Sequence, residues 1–191
     1  MKSVLISIRP QWVEKIASGE KTIEVRKTAP QEVPFKAYIY CSKEKKQDDI
    51  IWAGAFGDRG KWNGHVIGEF ICDKVEMVNA KCSDYGIDLF YHDCLTNGCL
   101  TEREIEKYFN VPEDRDLRAM KGNGYVWNIS DLKIYDKPRE LSEFSRPCSY
   151  SGLCFSCKRT SFKKGGNLLC NTKITRPPQS WMYVEDLGEE E

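Results

Sequence analysis

The sequence predicts an α+β domain whose strands form a small, mixed and mostly antiparallel β-barrel with helices packed outside it. Strand-like apolar segments recur along the chain, whereas helical spacing is confined to two places. Few helices therefore stand between successive strands, as a parallel α/β sheet would require. The chain has 191 residues, enough for one domain to bury a core without disulfides.

The first part of the chain alternates between strand and helix signals. Residues 3–8 predict the first strand, because Val4, Ile6 and Ile8 are β-formers with Leu5 between them. Pro10 has the fixed φ that suits the first turn of a helix, and Gly19 stands where a left-handed helix end is expected. The apolar residues between them recur at helical spacing: Trp12, Val13, Ile16 and Ala17. Two further strands are expected at about 21–27 and 36–42.

Longer elements follow a glycine-rich loop at 54–64. Residues 65–78 predict one long strand, bent at Gly68, and residues 79–111 have a helical pattern. Within that pattern, Thr101 and Glu104 have the spacing of a capping box. Residues 124–135 return to strand character, and 180–184 predict a last short strand.

Charge is concentrated immediately after the first predicted helix. Strand alternation puts Ile23 and Val25 on one face and Glu24 and Arg26 on the other. Lys21 precedes the strand, so alternation leaves its direction undetermined. We expect these charged side chains to point into a shared hollow, and the alternative is an ion-paired face open to solvent.

The three charged groups suit a ligand that carries phosphate or a developing oxyanion. Lys21 or Arg26 could neutralise it, and the arginine could do so with two parallel hydrogen bonds. Glu24 could act as a general base or accept from the exocyclic amine of a nucleobase. Lys21 and Glu24 are therefore the candidate catalytic residues, and all three are candidate ligand-binding residues.

Four more residues are candidates for ligand binding: Ser7, Arg9, Trp12 and Trp181. The first three flank the turn that leads into the first helix. Trp12 could stack on a base, which contributes about 1–3 kcal/mol in proteins that bind single strands. The alternative for Trp12, and equally for Trp181, is that the indole anchors the hydrophobic core.

A cysteine-rich insertion is predicted at residues 145–176. Its four cysteines are Cys148, Cys154, Cys157 and Cys170. The segment is rich in glycine and serine and offers no hydrophobic core of its own, so four thiolates around zinc would explain how it folds. An iron–sulfur cluster uses the same ligands and stays an alternative, as do unligated cysteines.

The distribution of charge adds a local argument for nucleic acid. The whole chain has 29 basic and 29 acidic residues, but residues 137–179 hold nine Lys/Arg and two Asp/Glu. A basic insertion suits a phosphate backbone, although it could also be a solvated loop. The tail 188–191 is predicted to be disordered. No apolar run approaches the ~20 residues of a membrane span, and no signal sequence is evident, so a cytoplasmic protein with reduced thiols is expected.

Two motifs carry a resemblance to a known family. The patterns Ser7-x-Arg9-Pro10-x-Trp12 and Gly19-x-Lys21-x-x-Glu24-x-Arg26 resemble the ASCH domain family, a branch of the PUA-like superfamily. Tyr125-x-Trp127 and the segment 177–181 look like later barrel strands of its phage and bacterial members. The resemblance implies a barrel domain at 1–144, closed by a strand at 177–187.

The resemblance also implies a function. It places the motif charges in a cleft between barrel and helix, where family members are proposed to bind RNA or other nucleic acid. Some small bacterial members hydrolyse N4-acetylcytidine, with a lysine at the Lys21 position that activates a threonine three residues on. Here that position is Glu24, and Thr96 stands where an assisting glutamate is expected. We therefore expect a protein that binds RNA or a modified nucleotide, with a hydrolase of a modified nucleoside or a ribonuclease as the alternative.

Overall fold

The computed structural model describes residues 1–43, 62–111, 117–148, 160–162, 168–170 and 172–188. Its helices are α1 (Pro10–Ala17), α2 (Asp84–Thr96) and α3 (Glu102–Phe109). Its strands are β1 (Lys2–Ile8), β2 (Ile23–Arg26), β3 (Phe35–Cys41), β4 (Val66–Cys72), β5 (Val75–Asn79), β6 (Asn123–Asn128), β7 (Ser130–Arg139), β8 (Thr160–Phe162), β9 (Leu168–Cys170) and β10 (Trp181–Val184).

The strands form two main sheets. The larger sheet has the order β10-β1-β3-β4-β7, and the smaller has the order β2-β6-β5. Among these neighbours only β1 and β3 run parallel. The α+β, mostly antiparallel prediction is confirmed. The prediction of a closed barrel is wrong for the part of the chain described, because no ladder of hydrogen bonds joins the two sheets.

The separation arises where the chain passes from one sheet to the other. The predicted strand at 65–78 is two strands, β4 in the larger sheet and β5 in the smaller. The predicted strand at 124–135 divides in the same way into β6 and β7. Both halves of each segment are rich in β-formers, so the apolar pattern resumes after each corner, although the polar pair Asp73-Lys74 stands between β4 and β5.

Gly68, where the sequence suggested a bend, lies at a close approach between β4 and β7. A Cβ atom at this position would clash with the backbone oxygen of Lys133. The register between β4 and β7 shifts on either side of this contact, as at a β-bulge. The glycine therefore allows β7 to approach β4 closely.

Three apolar layers stabilise this arrangement. One lies on the inner face of the larger sheet and includes the fully buried Trp127 of the smaller sheet. A second lies between the smaller sheet and helices α2 and α3. The third covers the outer face of the larger sheet, where Phe144 and Ile174 pack from the two ends of the cysteine-rich insertion.

Several short-range signals are confirmed at the residues that carry them. Pro10 occupies the first turn of α1, and Gly19 has a φ of 80° just after it. Thr101 N donates to Glu104 Oε2 at 2.9 Å, and Glu104 N donates to Thr101 Oγ1 at 3.3 Å, which completes the capping box.

Most of the cysteine-rich insertion lies outside the described residues, including Cys154 and Cys157. Its ends are paired by a bridge between Ser145 and Lys173, and strands β8 and β9 form a two-stranded sheet. Cys148 is exposed. The predicted disordered tail at 188–191 is described only at its first residue. Among the described helices, none has the length and apolar character needed to cross a membrane.

Candidate functional site

Lys21, Glu24 and Arg26 converge on one another between α1, β1 and β2, and we call them the inner cluster. The ammonium of Lys21 lies 3.5 Å from Glu24 Oε2, and the guanidinium of Arg26 lies 2.9 Å from Glu24 Oε1. Their exposed fractions are 3%, 6% and 8%. The expected convergence of the charged side chains is therefore observed, and the alternative of an open, solvated strand face is wrong.

One local and one distant backbone contact give Lys21 the direction that the sequence left undetermined. Its N–H donates to the backbone oxygen of Lys15 at 2.9 Å, which places the residue between the end of α1 and the start of β2. Its Nζ then donates to the backbone oxygen of Gly98 at 2.8 Å, just beyond α2. This carbonyl and Glu24 together hold the ammonium inside the protein.

Arg26 leaves one of its donors without a partner. Its Nη2 serves both Glu24 and the backbone oxygen of Ser7, the latter at 2.7 Å. Its Nε is buried and has no hydrogen-bond partner among the described residues. Lys21 and Arg26 share the single carboxylate of Glu24, so the three residues of the inner cluster have a formal charge of +1.

Trp12 borders the inner cluster and also contributes to the core. Lys21 Nζ lies 5.6 Å from the centroid of the indole ring, within the range of a cation–π contact. The ring is half-buried and packs against the inner apolar layer. The packing agrees with the interpretation of Trp12 as a core anchor, and stacking of a base on the ring stays a prediction.

The remaining candidates take different positions around this site. Ser7 contributes its backbone oxygen to Arg26, whereas its hydroxyl donates to the backbone oxygen of Pro178 at 2.6 Å. Arg9 is exposed and caps α1 through its backbone oxygen. Trp181 is half-buried, and its indole N–H donates to Thr28 Oγ1 at 3.0 Å. Its ring packs edge-on against that of Trp127, with 5.8 Å between the ring centroids. Trp181 is therefore linked to the site by its contact with Trp127.

Two residues near the inner cluster were not among the sequence candidates. Trp127 lies directly opposite Glu24 in the β2–β6 pair, is fully buried, and has an indole N–H without a partner among the described residues. Burial raises the pKa of Tyr108, with the charge of Arg26 opposing and that of Glu24 adding to the effect. The pairing of β2 with β6 was the missing information, because the motif alone does not say which strand lies opposite.

The nearby thiol and hydroxyl groups are poorly placed for nucleophilic work. Burial raises the pKa of Cys94 to about 12, although the charge of Lys21 opposes that shift. The thiol is therefore neutral near pH 7. Thr96 Oγ1 donates to the backbone oxygen of His92 at 2.8 Å, within α2. The described residues also contain no group of three or more His, Cys, Asp or Glu side chains that could hold a metal ion.

The layout described above, two mostly antiparallel sheets flanked by three helices, is also found in solved structures. A crystal structure of ASCH from Zymomonas mobilis is 16% identical, with a TM-score of 0.54, over 96% of this chain and 88% of that chain. A serine-to-alanine mutant of the same protein is 15% identical, with a TM-score of 0.55, over 96% and 89%. No family model matches the chain, and no curated protein does. At these identities the likeness concerns the fold: the chain has an ASCH-like fold, as the motif predicted.

Proposed function

We propose that this protein binds RNA or a modified nucleotide through the inner cluster. The observation that carries the proposal is a buried group of charges with an excess of one positive charge beside an indole ring. Removing an ion from water costs on the order of several kcal/mol unless well-placed counter-ions and hydrogen bonds compensate for it. Two cations on one carboxylate are incompletely compensated, so a ligand that brings negative charge would stabilise the site.

A nucleotide has the chemistry that complements these groups. Its phosphate would supply the missing negative charge to Lys21 and Arg26. Trp12 presents an aromatic ring next to the ammonium, where a base could stack on the part of the ring that is not buried. The sequence of residues 137–179 adds an excess of basic residues, which would favour a longer phosphate backbone.

The direct experiment is filter binding of RNA and single-stranded DNA over a range of salt concentrations. We expect an affinity that falls as salt rises and that falls further in Arg26→Gln. Arg118→Gln is the matched control, because Arg118 lies in ion pairs with Asp84 and Asp88 outside the inner cluster. The absence of salt-dependent affinity for either nucleic acid in the wild type would contradict the proposal.

The hydrolase alternative is less well supported by the geometry. Glu24 replaces the threonine that the resemblance requires as a nucleophile, and it lies between two cations. Both of its carboxylate oxygens are engaged in these ion pairs, an arrangement that suits binding more than proton transfer. Assays of N4-acetylcytidine and labelled RNA with the wild type and Lys21→Ala test this alternative, since turnover that depends on Lys21 would favour an enzyme.

The zinc prediction for the four cysteines stays a proposal, with sequence as its main support. The antiparallel bridge between Ser145 and Lys173 brings the two ends of the insertion together, which is compatible with one site shared by Cys148 and Cys170. Elemental analysis of the purified protein should find about one zinc ion per chain. Mutating Cys154 and Cys157 to serine should abolish zinc binding. The control Cys72→Ser, at a cysteine in the buried core, should still bind zinc.

A further inference from the structure

Two buried nitrogen donors near the inner cluster have no acceptor among the described residues. They are Nε of Arg26 and Nε1 of Trp127. Most buried polar groups in proteins have a partner, and leaving one unpaired costs about 1–3 kcal/mol. Each of these two donors therefore needs a specific explanation.

The pairing of β2 with β6 puts both donors on the same side of the smaller sheet. Trp127 is the direct partner of Glu24, so the two side chains share a face. Arg26 shares that face with Glu24 because it lies two residues further along the strand. Arg26 and Trp127 are thus diagonal neighbours, at a separation that long side chains can bridge.

The two unpaired donors are separate from the groups of the inner cluster that already have hydrogen-bond partners. Nη2 of Arg26 is occupied by Glu24 and by the backbone oxygen of Ser7, so the guanidinium offers its Nε edge to any further acceptor. The indole N–H of Trp127 is a donor only, and the ring is held by edge-on contacts with Phe35 and Trp181. Both side chains are held by these contacts, and the inner cluster beside them has a formal charge of +1.

We infer that the group received here is a phosphate, whose oxygens accept from Arg26 Nε and Trp127 Nε1. This assignment rests on the proposed function and deepens it, because it names the part of the nucleotide that enters and adds Trp127 to the binding residues. An oxyanion that accepts from both donors would also cancel the excess charge of the inner cluster, whereas a neutral nucleobase would leave that charge in place.

The experiment follows the indole N–H signals of the full-length protein by ¹H–¹⁵N NMR. Three probes are compared: inorganic phosphate, cytidine 5′-monophosphate and uncharged cytidine. The Trp127 signal should shift with both phosphate-containing probes and not with cytidine. The signal of Trp181 should move less, because its N–H already donates to Thr28. A response to the monophosphate but not to inorganic phosphate would show that the phosphate is recognised only as part of a nucleotide.

Variants provide a second measurement. Arg26→Lys keeps the charge but removes the Nε donor, and Trp127→Phe keeps an aromatic ring but removes the N–H. Each substitution should lower the affinity for cytidine 5′-monophosphate about tenfold, as expected for the loss of one hydrogen bond to a charged group. Arg118→Lys is the control for the first variant, and circular dichroism checks that both variants are folded.

The outcomes separate the two proposals. RNA that still binds in a salt-dependent manner, while phosphate and the monophosphate leave the Trp127 signal unmoved, would overturn this inference and leave the proposed function standing. A shift with cytidine as large as with the monophosphate would also overturn it, since the acceptor would then belong to the nucleoside. Failure of every probe, RNA included, would overturn both.

Discussion

Two lysines among the described residues are largely buried in ion pairs, Lys21 in the inner cluster and Lys36 on the outer face of the larger sheet. The outer network consists of Lys36, Tyr38, Glu69, Tyr135 and Asp186. In the inner cluster two cations share one carboxylate, whereas in the outer network one ammonium lies between two carboxylates. The charge left over is positive in the first and negative in the second.

The outer network supplies hydrogen-bond donors to both of its carboxylates. Asp186 Oδ1 accepts from Tyr38 at 2.5 Å, from Lys36 at 3.1 Å and from the backbone N–H of Gly188 at 3.2 Å. Glu69 accepts from Tyr135. Burial, followed by the hydrogen bond to its carboxylate, raises the pKa of each tyrosine, so both hydroxyls stay protonated as donors.

The comparison suggests different roles for two groups of similar composition. The outer network attaches residues 186–188 to the sheet and has its donors and acceptors matched. The inner cluster leaves a donor of Arg26 without a partner among the described residues, and so does its neighbour Trp127. A matched network is expected of structure, and an unmatched one of a binding site.

The largest effect is expected from Glu24→Gln, which leaves two buried cations without their shared carboxylate. Breaking a buried ion pair costs about 3–5 kcal/mol of the free energy of unfolding. Arg26→Gln should cost less, because it leaves Lys21 and Glu24 as a balanced pair. Urea unfolding measures all of these, with Glu20→Gln as a control that should cost less than about 1 kcal/mol, since its pair with Lys15 is exposed. Equal losses in Glu24→Gln and Arg26→Gln would contradict an excess of positive charge.

In the outer network we expect the stability of the fold to depend most on the cation, Lys36, whereas in the inner cluster it depends most on the carboxylate. Lys36→Met leaves Glu69 and Asp186 without an ammonium, although each keeps a tyrosine donor. We expect a loss of about 1–3 kcal/mol in urea unfolding, because Asp186 is partly exposed and water replaces some of the lost contact. Lys133→Met, at an exposed position on β7, is the matched control. If the two variants are equally stable, the outer network does not stabilise the fold.

Ligand binding should separate the two regions more sharply than stability does. Arg26→Gln should weaken RNA binding by about 1.5–3 kcal/mol, the contribution of one hydrogen bond to a charged group. Lys36→Met should leave RNA affinity unchanged at the same salt concentration. Filter binding with both folded variants measures this difference, and an equal loss in both would point to a general effect of charge instead of a site.

The smallest expected effect is on the acid sensitivity of the fold. Burial opposes the charge of Asp186, but the hydrogen bonds from Tyr38, Lys36 and Gly188 outweigh it and hold its pKa below the ordinary 3.8. A carboxyl group with a depressed pKa stabilises the folded state above the ordinary value, and this stabilisation is lost as the pH falls through the lower, folded-state pKa. Asp186→Asn should therefore lose less stability than the wild type when urea unfolding is repeated at acid pH. An identical acid dependence in both proteins would contradict this assignment.

The features that the sequence predicted well depend on neighbouring residues. Pro10, Gly19 and the capping box of α3 act over one helical turn, so their spacing contains the necessary information. The strand alternation at Glu24 and Arg26 is local in the same sense, and it predicts that these two side chains share a face and meet. Their burial depends on what packs over that face, because all four residues of β2 are buried.

The features that the sequence did not predict depend on distant parts of the chain. The direction of Lys21 is set by the backbone oxygen of Gly98, which comes 77 residues later. The corners between β4 and β5 and between β6 and β7 join segments of similar composition, so a single long strand was the natural expectation. Trp127 became a site residue only when β6 was found opposite β2.

The paired ends of the cysteine-rich insertion make the outer face a place where the chain can be lengthened or shortened. Ile174 N donates to the backbone oxygen of Phe144, and Arg146 N donates to that of Thr172, so the chain leaves and returns at one point. Phe144 and Ile174 are buried, which fastens this point to the larger sheet. The entropy of closing a loop changes only slowly with its length. Insertions of very different length could therefore replace this segment at the same attachment point, while the two sheets and the inner cluster remain intact.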